Sequence, residues 1–199
     1  MILREEKGRL MKVFVSYTRD KDEFVAVSQF TKHFANELVG SVPGSTVFQD
    51  TENIGPSDPF TEIIKRELDG ADVLLVLVSP AWLASRWCRK EFDLFSAKKT
   101  AQGQPRCILP VLWFKTPALE KPGRDRIARK LASLEFDDWR DLRHEAWDNP
   151  EPRRRVARLV EKVVTKLGNQ KPIEVEKAPA RKHRPRKVQK AKAKKARRV

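Results

Sequence analysis

Val73 to Phe92, VLLVLVSPAWLASRWCRKEF, decides how the chain folds. Its first six residues are all aliphatic, with no polar residue at either alternate set of positions. A strand with no polar side is covered on both faces, which is the situation of a central strand in a parallel sheet. Six residues are also far short of the roughly 20 apolar residues that cross a bilayer. Ser79-Pro80 stops the strand, and Ala81 to Lys99 reads as a helix.

Working outward toward the N-terminus, Val13 to Tyr17 (VFVSY) is a short β-favouring run and predicts a second buried strand. Phe24, Val27, Phe30, Phe34 and Leu38 recur every three or four residues, so Asp22 to Leu38 predicts a helix with one apolar face. Gly40 and Ser41-Val42-Pro43-Gly44 end it. Thr46 to Gln49 reads as a strand, and Asp50 to Pro59 (DTENIGPSDP) collects turn-formers into a long loop. Phe60, Ile63, Ile64 and Leu68 form a further helical stripe, with Asp58 and Pro59 as cap and first-turn residue.

Toward the C-terminus, Cys107 to Trp113 predicts a strand whose internal Pro110 suggests an edge or a bulge. Leu134 to Trp139 reads as a weak last strand. The closing helix has Asn149 as cap, Pro150 in its first turn, an apolar face of Val156, Leu159, Val160, Val163, Val164 and Leu167, and Gly168 as its stop. Strands and helices alternate about five times, which predicts an α/β domain with a mostly parallel sheet and helices on both faces.

Charge divides the 199 residues unevenly. Of the formal +15, the last 31 residues supply 13 Lys and Arg against 2 acidic residues, leaving the first 168 at only +4. Residues 169–199 therefore predict a basic tail with too few apolar groups to fold alone. Thirteen cations suit phosphates of nucleic acid or an anionic membrane surface, or serve solubility alone; no aromatic residue is interleaved for base stacking. Two cysteines, Cys88 and Cys107, are too sparse for a disulfide scaffold, and the N-terminus lacks the apolar stretch of a signal peptide. The expectation is a cytoplasmic protein with buried free thiols and no transmembrane segment.

Several chemistries are absent by motif. No GxGxxG turn follows the first strand, and there is no GxxxxGK[ST] loop, HExxH pair or GxSxG elbow. The third strand ends in Ser79-Pro80 rather than the Asp of a phospho-accepting receiver. His33, His144 and His183 are scattered without ligand spacing, so no metal site is expected.

The segments FVSYTRD (Phe14 to Asp20), VFQDTENIGPSDPF (Val47 to Phe60), VLLVLVSPAWLASRWCRKEF and CILPVLW, in this order, resemble the successive boxes of a Toll/interleukin-1 receptor (TIR) domain. The resemblance covers about Lys12 to Gly168, leaving 1–11 as an N-terminal extension and 169–199 as the tail. It implies a flavodoxin-like, five-stranded parallel sheet. It further implies one of two functions. Many bacterial and plant members, and the animal axon-degeneration member, cleave NAD+ at the nicotinamide–ribose bond in immune or stress signalling, antiphage defence included. Other members are signalling scaffolds that work by TIR–TIR assembly.

The same resemblance distributes roles. Glu91 of Trp87-Cys88-Arg89-Lys90-Glu91 matches the family's catalytic glutamate, and i,i+4 spacing puts Trp87 on its face of a helix. By itself, Glu91 could equally be a solvated helix carboxylate. Tyr17 and Arg19 fall where pocket-lining residues are expected; Arg19 could grip a pyrophosphate or remain a surface charge, and Thr18 stands where the axon-degeneration enzymes carry a basic residue. Phe60 matches an aromatic that lies against the ligand, or starts its own helix's core stripe. Ser79 either approaches the ribose or ends a strand, and Trp113 stacks on a base or fills the core. Asp50, Ile54, Gly55 and Pro56 belong to the loop implied to join one TIR domain to another, so a homo-oligomer is expected on activation. NAD+ would be substrate, with no cofactor.

Overall fold

The computed structural model describes residues 10–18, 22–49, 62–100, 103 and 105–168. Five parallel strands, β1 (Lys12–Ser16), β2 (Thr46–Gln49), β3 (Val73–Val78), β4 (Cys107–Leu112) and β5 (Asp137–Asp138), lie in the order β2-β1-β3-β4-β5. The expected five-stranded parallel sheet is thus present, with β3 at its centre. Val13 to Ser16 pair with Val73 to Val76, and Val73 to Val78 pair with Cys107 to Leu112.

Period-two alternation explains why β3 needs no polar face. Val73, Leu75 and Leu77 point into one core layer, with Phe30 and Phe34 of α1 (Phe24–Ser41) and Leu159 and Val163 of α7 (Pro150–Gly168). Leu74, Val76 and Val78 point into the other. There they meet Ile64 and Leu68 of α2 (Glu62–Gly70), Trp82 of α3 (Pro80–Ala84), Phe92 and Phe95 of α4 (Arg86–Ala97), and Leu131 of α6 (Arg126–Ala132). A short helix α5 (Pro117–Glu120) precedes α6. All six residues of β3 are buried.

The boundaries depart from the sequence expectation at four places, each with a local cause. The helix read over Ala81 to Lys99 is two helices. Ser85 is extended at φ −72° and ψ 121°; its N–H bonds the α3 carbonyls of Ala81 and Trp82, while its Oγ caps α4 by accepting the Cys88 N–H. α1 runs through Gly40 to Ser41, and the turn comes at Pro43-Gly44, where Gly44 has φ 86°. Ile63 is 48 % exposed, off the Ile64–Leu68 stripe it was grouped with; neighbours on a helix are rotated about 100° apart. The last strand shrinks to Asp137–Asp138 because Leu134 belongs to the exit turn of α6, its N–H bonding the Leu131 carbonyl.

Pro110 sits in β4, which is flanked by β3 and β5 and so is not an edge strand. The Leu112 carbonyl accepts the Trp139 N–H on the β5 side, whereas the Trp113 N–H donates to Val78 on the β3 side. Two residues before Leu112, the Pro110 nitrogen faces the β5 side, and β5 pairs only from Val111 onward. The missing N–H therefore costs no ladder bond.

Candidate active site at the carboxyl ends of the strands

The chain leaves β1 for β2 on one side and returns for β3 on the other, so strand direction of travel reverses at β1/β3. Open α/β sheets bind ligands in the crevice beyond the carboxyl ends at such a point. A cleft of about 240 Å3 opens there, walled by Tyr17 and Thr18 after β1, Ser79 after β3, Trp113 and Phe114 after β4, and Glu23 at the start of α1.

Ser79 is both a strand end and a cleft residue. It caps α3, its Oγ accepting the Trp82 backbone N–H at 3.0 Å, and lies 3.4 Å from Thr18 Oγ1. With the helix N–H donating to it, its own proton can be given to Thr18 or a ligand oxygen. On the opposite wall, the Trp113 indole N–H donates to Glu23 Oε2 at 3.0 Å. The Arg143 guanidinium lies over the Phe114 ring, 4.3 Å from its centre, with Nε 3.8 Å from Glu23. Sequence reading did not single out Glu23 or Arg143, since nothing in their spacing links them to Trp113.

Glu91 is buried, only 8 % exposed. It is therefore not the solvated helix carboxylate that its neighbours Arg89 and Lys90 would suggest. Its Oε2 accepts a 2.5 Å hydrogen bond from the Ser16 hydroxyl at the end of β1, and Ser16 Oγ in turn accepts the Trp82 indole N–H at 3.0 Å. One turn earlier on α4, Cys88 Sγ reaches the Tyr17 carbonyl at 3.5 Å. Burial first, and the charge of Glu91 second, push the Cys88 thiol up to about 12. Glu91 thus packs against the β1 segment whose next residue, Tyr17, is a wall of the cleft. By strand parity Ser16 faces the α4 layer with Phe14, and Tyr17 faces the α1 layer. Glu91 is not itself part of the cleft wall; it stands on the α4 side of the sheet, behind the tip of β1 that borders the cleft.

Trp87 is half-buried, with the Lys90 ammonium 5.4 Å above its ring, and is not part of the wall of this cleft. Trp82, which sequence reading did not single out, is fully buried and hydrogen-bonds the hydroxyls of Ser16 and Ser79. Arg89 is directed away from Glu91, forming a two-pronged pair with Asp125 at 2.8 and 3.2 Å. Arg19, Asp50, Ile54, Gly55, Pro56 and Phe60 lie outside the described residues, as does the basic tail. Among the described residues no cluster of three His, Cys, Asp or Glu could hold a metal, and no helix is long and apolar enough to cross a membrane.

No curated protein matches the chain. Among solved structures, it is similar to the TIR domain of the Toll-related receptor TRR-2 from Hydra magnipapillata at 16 % identity and a TM-score of 0.45, over 78 % of this chain and 98 % of that one. It is also similar to a metazoan TIR-STING receptor from C. gigas in complex with 2',3'-cGAMP, at 16 % identity and 0.47, over 80 % of this chain and 41 % of that one. The TIR domains of the activated Roq1 resistosome match at 13 % identity and 0.42, over 80 % and 98 %. The family model described as TIR domain spans residues 13–160, from the first strand into the closing helix, and the chain belongs to the TIR domain family.

Proposed function

We propose that this TIR domain cleaves NAD+ at the nicotinamide–ribose bond, with Glu91 as the catalytic carboxylate and self-association as the activating event. The observation that carries this reading is a helix glutamate withdrawn from solvent and held at 2.5 Å by the last residue of β1. Taking a carboxylate out of water costs several kcal/mol. A fold that buries one behind the strand tip bordering a crevice, when the adjacent helix face carries solvated Arg and Lys, has the signature of a functional site.

The chemistry suits a single carboxylate. Nicotinamide leaves a cationic pyridinium as a neutral molecule, taking the electron pair of the C1′–N bond, so no general acid has to protonate it. Ordinary glycoside cleavage, by contrast, uses two carboxylates around an oxocarbenium-like transition state. Glu91 offsets the positive charge that develops at C1′ and orients the ribose hydroxyls. Water then bonds to C1′ and releases its proton, giving ADP-ribose; an internal nucleophile in its place gives a cyclic product. The aromatic and aliphatic walls beside Tyr17 and Trp113 suit a flat base, and the hydroxyls of Thr18 and Ser79 suit sugar or phosphate oxygens.

Nicotinamide release from NAD+ by concentrated purified protein tests the reading. Glu91→Gln, which keeps the shape and removes the charge, is expected to abolish release while the protein stays folded. Specific activity is expected to rise with protein concentration. An inactive wild type at the highest attainable concentration, or a fully active Glu91→Gln, overturns the enzymatic reading and leaves a TIR–TIR assembly module.

A further inference from the structure

The hydrogen bonds behind Glu91 have a direction that follows from donor chemistry alone. An indole N–H only donates, and an ionised carboxylate only accepts. Ser16 Oγ lies between the two, 3.0 Å from Trp82 Nε1 and 2.5 Å from Glu91 Oε2. One of its two lone pairs therefore takes the indole N–H and its proton goes to the carboxylate, with the Cys88 thiol as a further hydrogen-bonding neighbour of the same hydroxyl. We propose that Ser16 and Trp82 are the positioning residues of Glu91, forming a one-way relay from indole to hydroxyl to carboxylate that fixes which Glu91 oxygen faces the protein.

This inference rests on the catalytic reading of Glu91 for its kinetic consequence, though the relay itself does not. All three side chains are buried: Trp82 at 0 %, Ser16 at 1 % and Glu91 at 8 % exposure. They come from three different elements, α3, β1 and α4. A charge-assisted bond of 2.5 Å is among the shorter oxygen–oxygen contacts and the stronger hydrogen bonds. Trp82 does a second job from the same residue, its backbone N–H holding Ser79 Oγ on the cleft wall at 3.0 Å. One tryptophan thus registers the carboxylate on one side of the β1 tip and a cleft hydroxyl on the other. Its ring is itself fixed edge-on against Phe92 of α4, 6.0 Å between centres.

Outer-shell groups that orient metal ligands typically matter by about 10–100-fold, and a hydroxyl that orients a carboxylate is expected to act on the same scale. Ser16→Ala is therefore expected to lower kcat for nicotinamide release by roughly 10–100-fold with KM changed by less than about 3-fold. Ser16→Thr, which restores a hydroxyl, is expected to recover most of kcat. Trp82→Phe keeps a ring in place and should lower kcat as well, whereas a group that only fills the core would not follow the hydroxyl.

A spectroscopic readout needs no activity. In the indole region of a 15N–1H spectrum of the full chain, the Trp82 resonance is assigned by its loss in Trp82→Phe. It should move upfield in the proton dimension when Glu91→Gln removes the charged end of the relay, and also in Ser16→Ala; the Trp113 resonance, which reports the bond to Glu23, should stay in place. An unmoved Trp82 resonance in both variants overturns the relay. A moved resonance with an inactive wild type upholds the relay and removes only the catalytic reading. An active Ser16→Ala with unchanged kcat overturns the positioning role.

Discussion

Cys88 and Glu91 stand three positions apart on α4, and each alters the other's chemistry. Burial excludes the thiolate at Cys88, and the nearby carboxylate adds to the effect, so the thiol is held at about 12. Burial likewise raises Cys107. Reactive cysteines have depressed pKa values, so both thiols should be nearly inert. A colorimetric thiol reagent at pH 8 should react slowly with the native protein and quickly with two thiols in denaturant. A group whose folded pKa is raised contributes stability below its ordinary range and loses it above. Stability should therefore fall as pH climbs from about 9 toward 12. Rapid modification of one native thiol at pH 8 would contradict this arrangement.

The same scale shows what was legible in the sequence. Glu91 was found because family boxes flank it, and its buried state was not readable from neighbours that are Arg89 and Lys90. Trp87 drew attention by its i,i+4 spacing to Glu91, a relation that holds within α4, yet Trp87 is not part of the cleft wall. The helix in fact restarts at Ser85, and the tryptophan before the break, Trp82, is the one that reaches Ser16. Serine is a favoured N-cap, so Ser85 carried a signal for a helix start; the continuous run of helix-compatible residues around it hid the break.

At the scale of elements, α4 and α6 are fastened by one residue with two tasks. Asp125 caps α6, its Oδ1 accepting the N–H groups of Ile127 and Ala128 at 2.9 and 3.1 Å, and grips Arg89 of α4. The Arg89 hydrogen bond, first, and the helix N–H groups hold the carboxyl down at about 2. A depressed folded pKa contributes stability above the ordinary carboxylate range, which is lost as pH falls from about 4 toward 2. Asp125→Ala is expected to cost about 1–2 kcal/mol in denaturant melts at pH 7, the range for a lost N-cap. Asp125→Asn, which keeps the cap and loses the charge, should cost less at pH 7 and flatten the acid limb of the stability curve. Equal costs for the two variants would assign the stabilisation to the ion pair instead. Interior elements such as β3 were legible because an all-aliphatic run has few folds open to it. β5 was legible only as a weak strand over Leu134 to Trp139: two adjacent aspartates carry little strand signal of their own, and pairing with β4 fixes which residues form it.

For the whole molecule, the buried residues run from Met11 to Leu167 and close one contiguous pair of layers. Phe30 sits at the centre of the α1 layer, edge-on to Trp113 and Trp139 at 5.5 and 4.8 Å. α7 seals that layer through Val156, Leu159, Val160, Val163 and Leu167. A chain truncated after Gly168 should therefore melt within about 2 °C of full length, a change well under the 1 kcal/mol that shifts a domain of this size by a few degrees. Its net charge falls from +15 to +4. A large loss of melting temperature would mean that the basic segment contributes to the folded body.

The proline in the fourth strand also governs how the molecule meets its neighbours in a crowded solution. Exposed strand rims invite edge-to-edge growth because each offers a regular row of donors and acceptors. Pro110, itself buried, puts a ring nitrogen with no hydrogen on the β5 side of the fourth strand, one residue before the short fifth strand begins to pair at Val111. A β-segment seeking to extend the pairing past the start of the fifth strand would meet no donor at Pro110. The protein can keep a stunted border strand, and the open crevice beyond it, without offering a seed for amyloid-like stacking there.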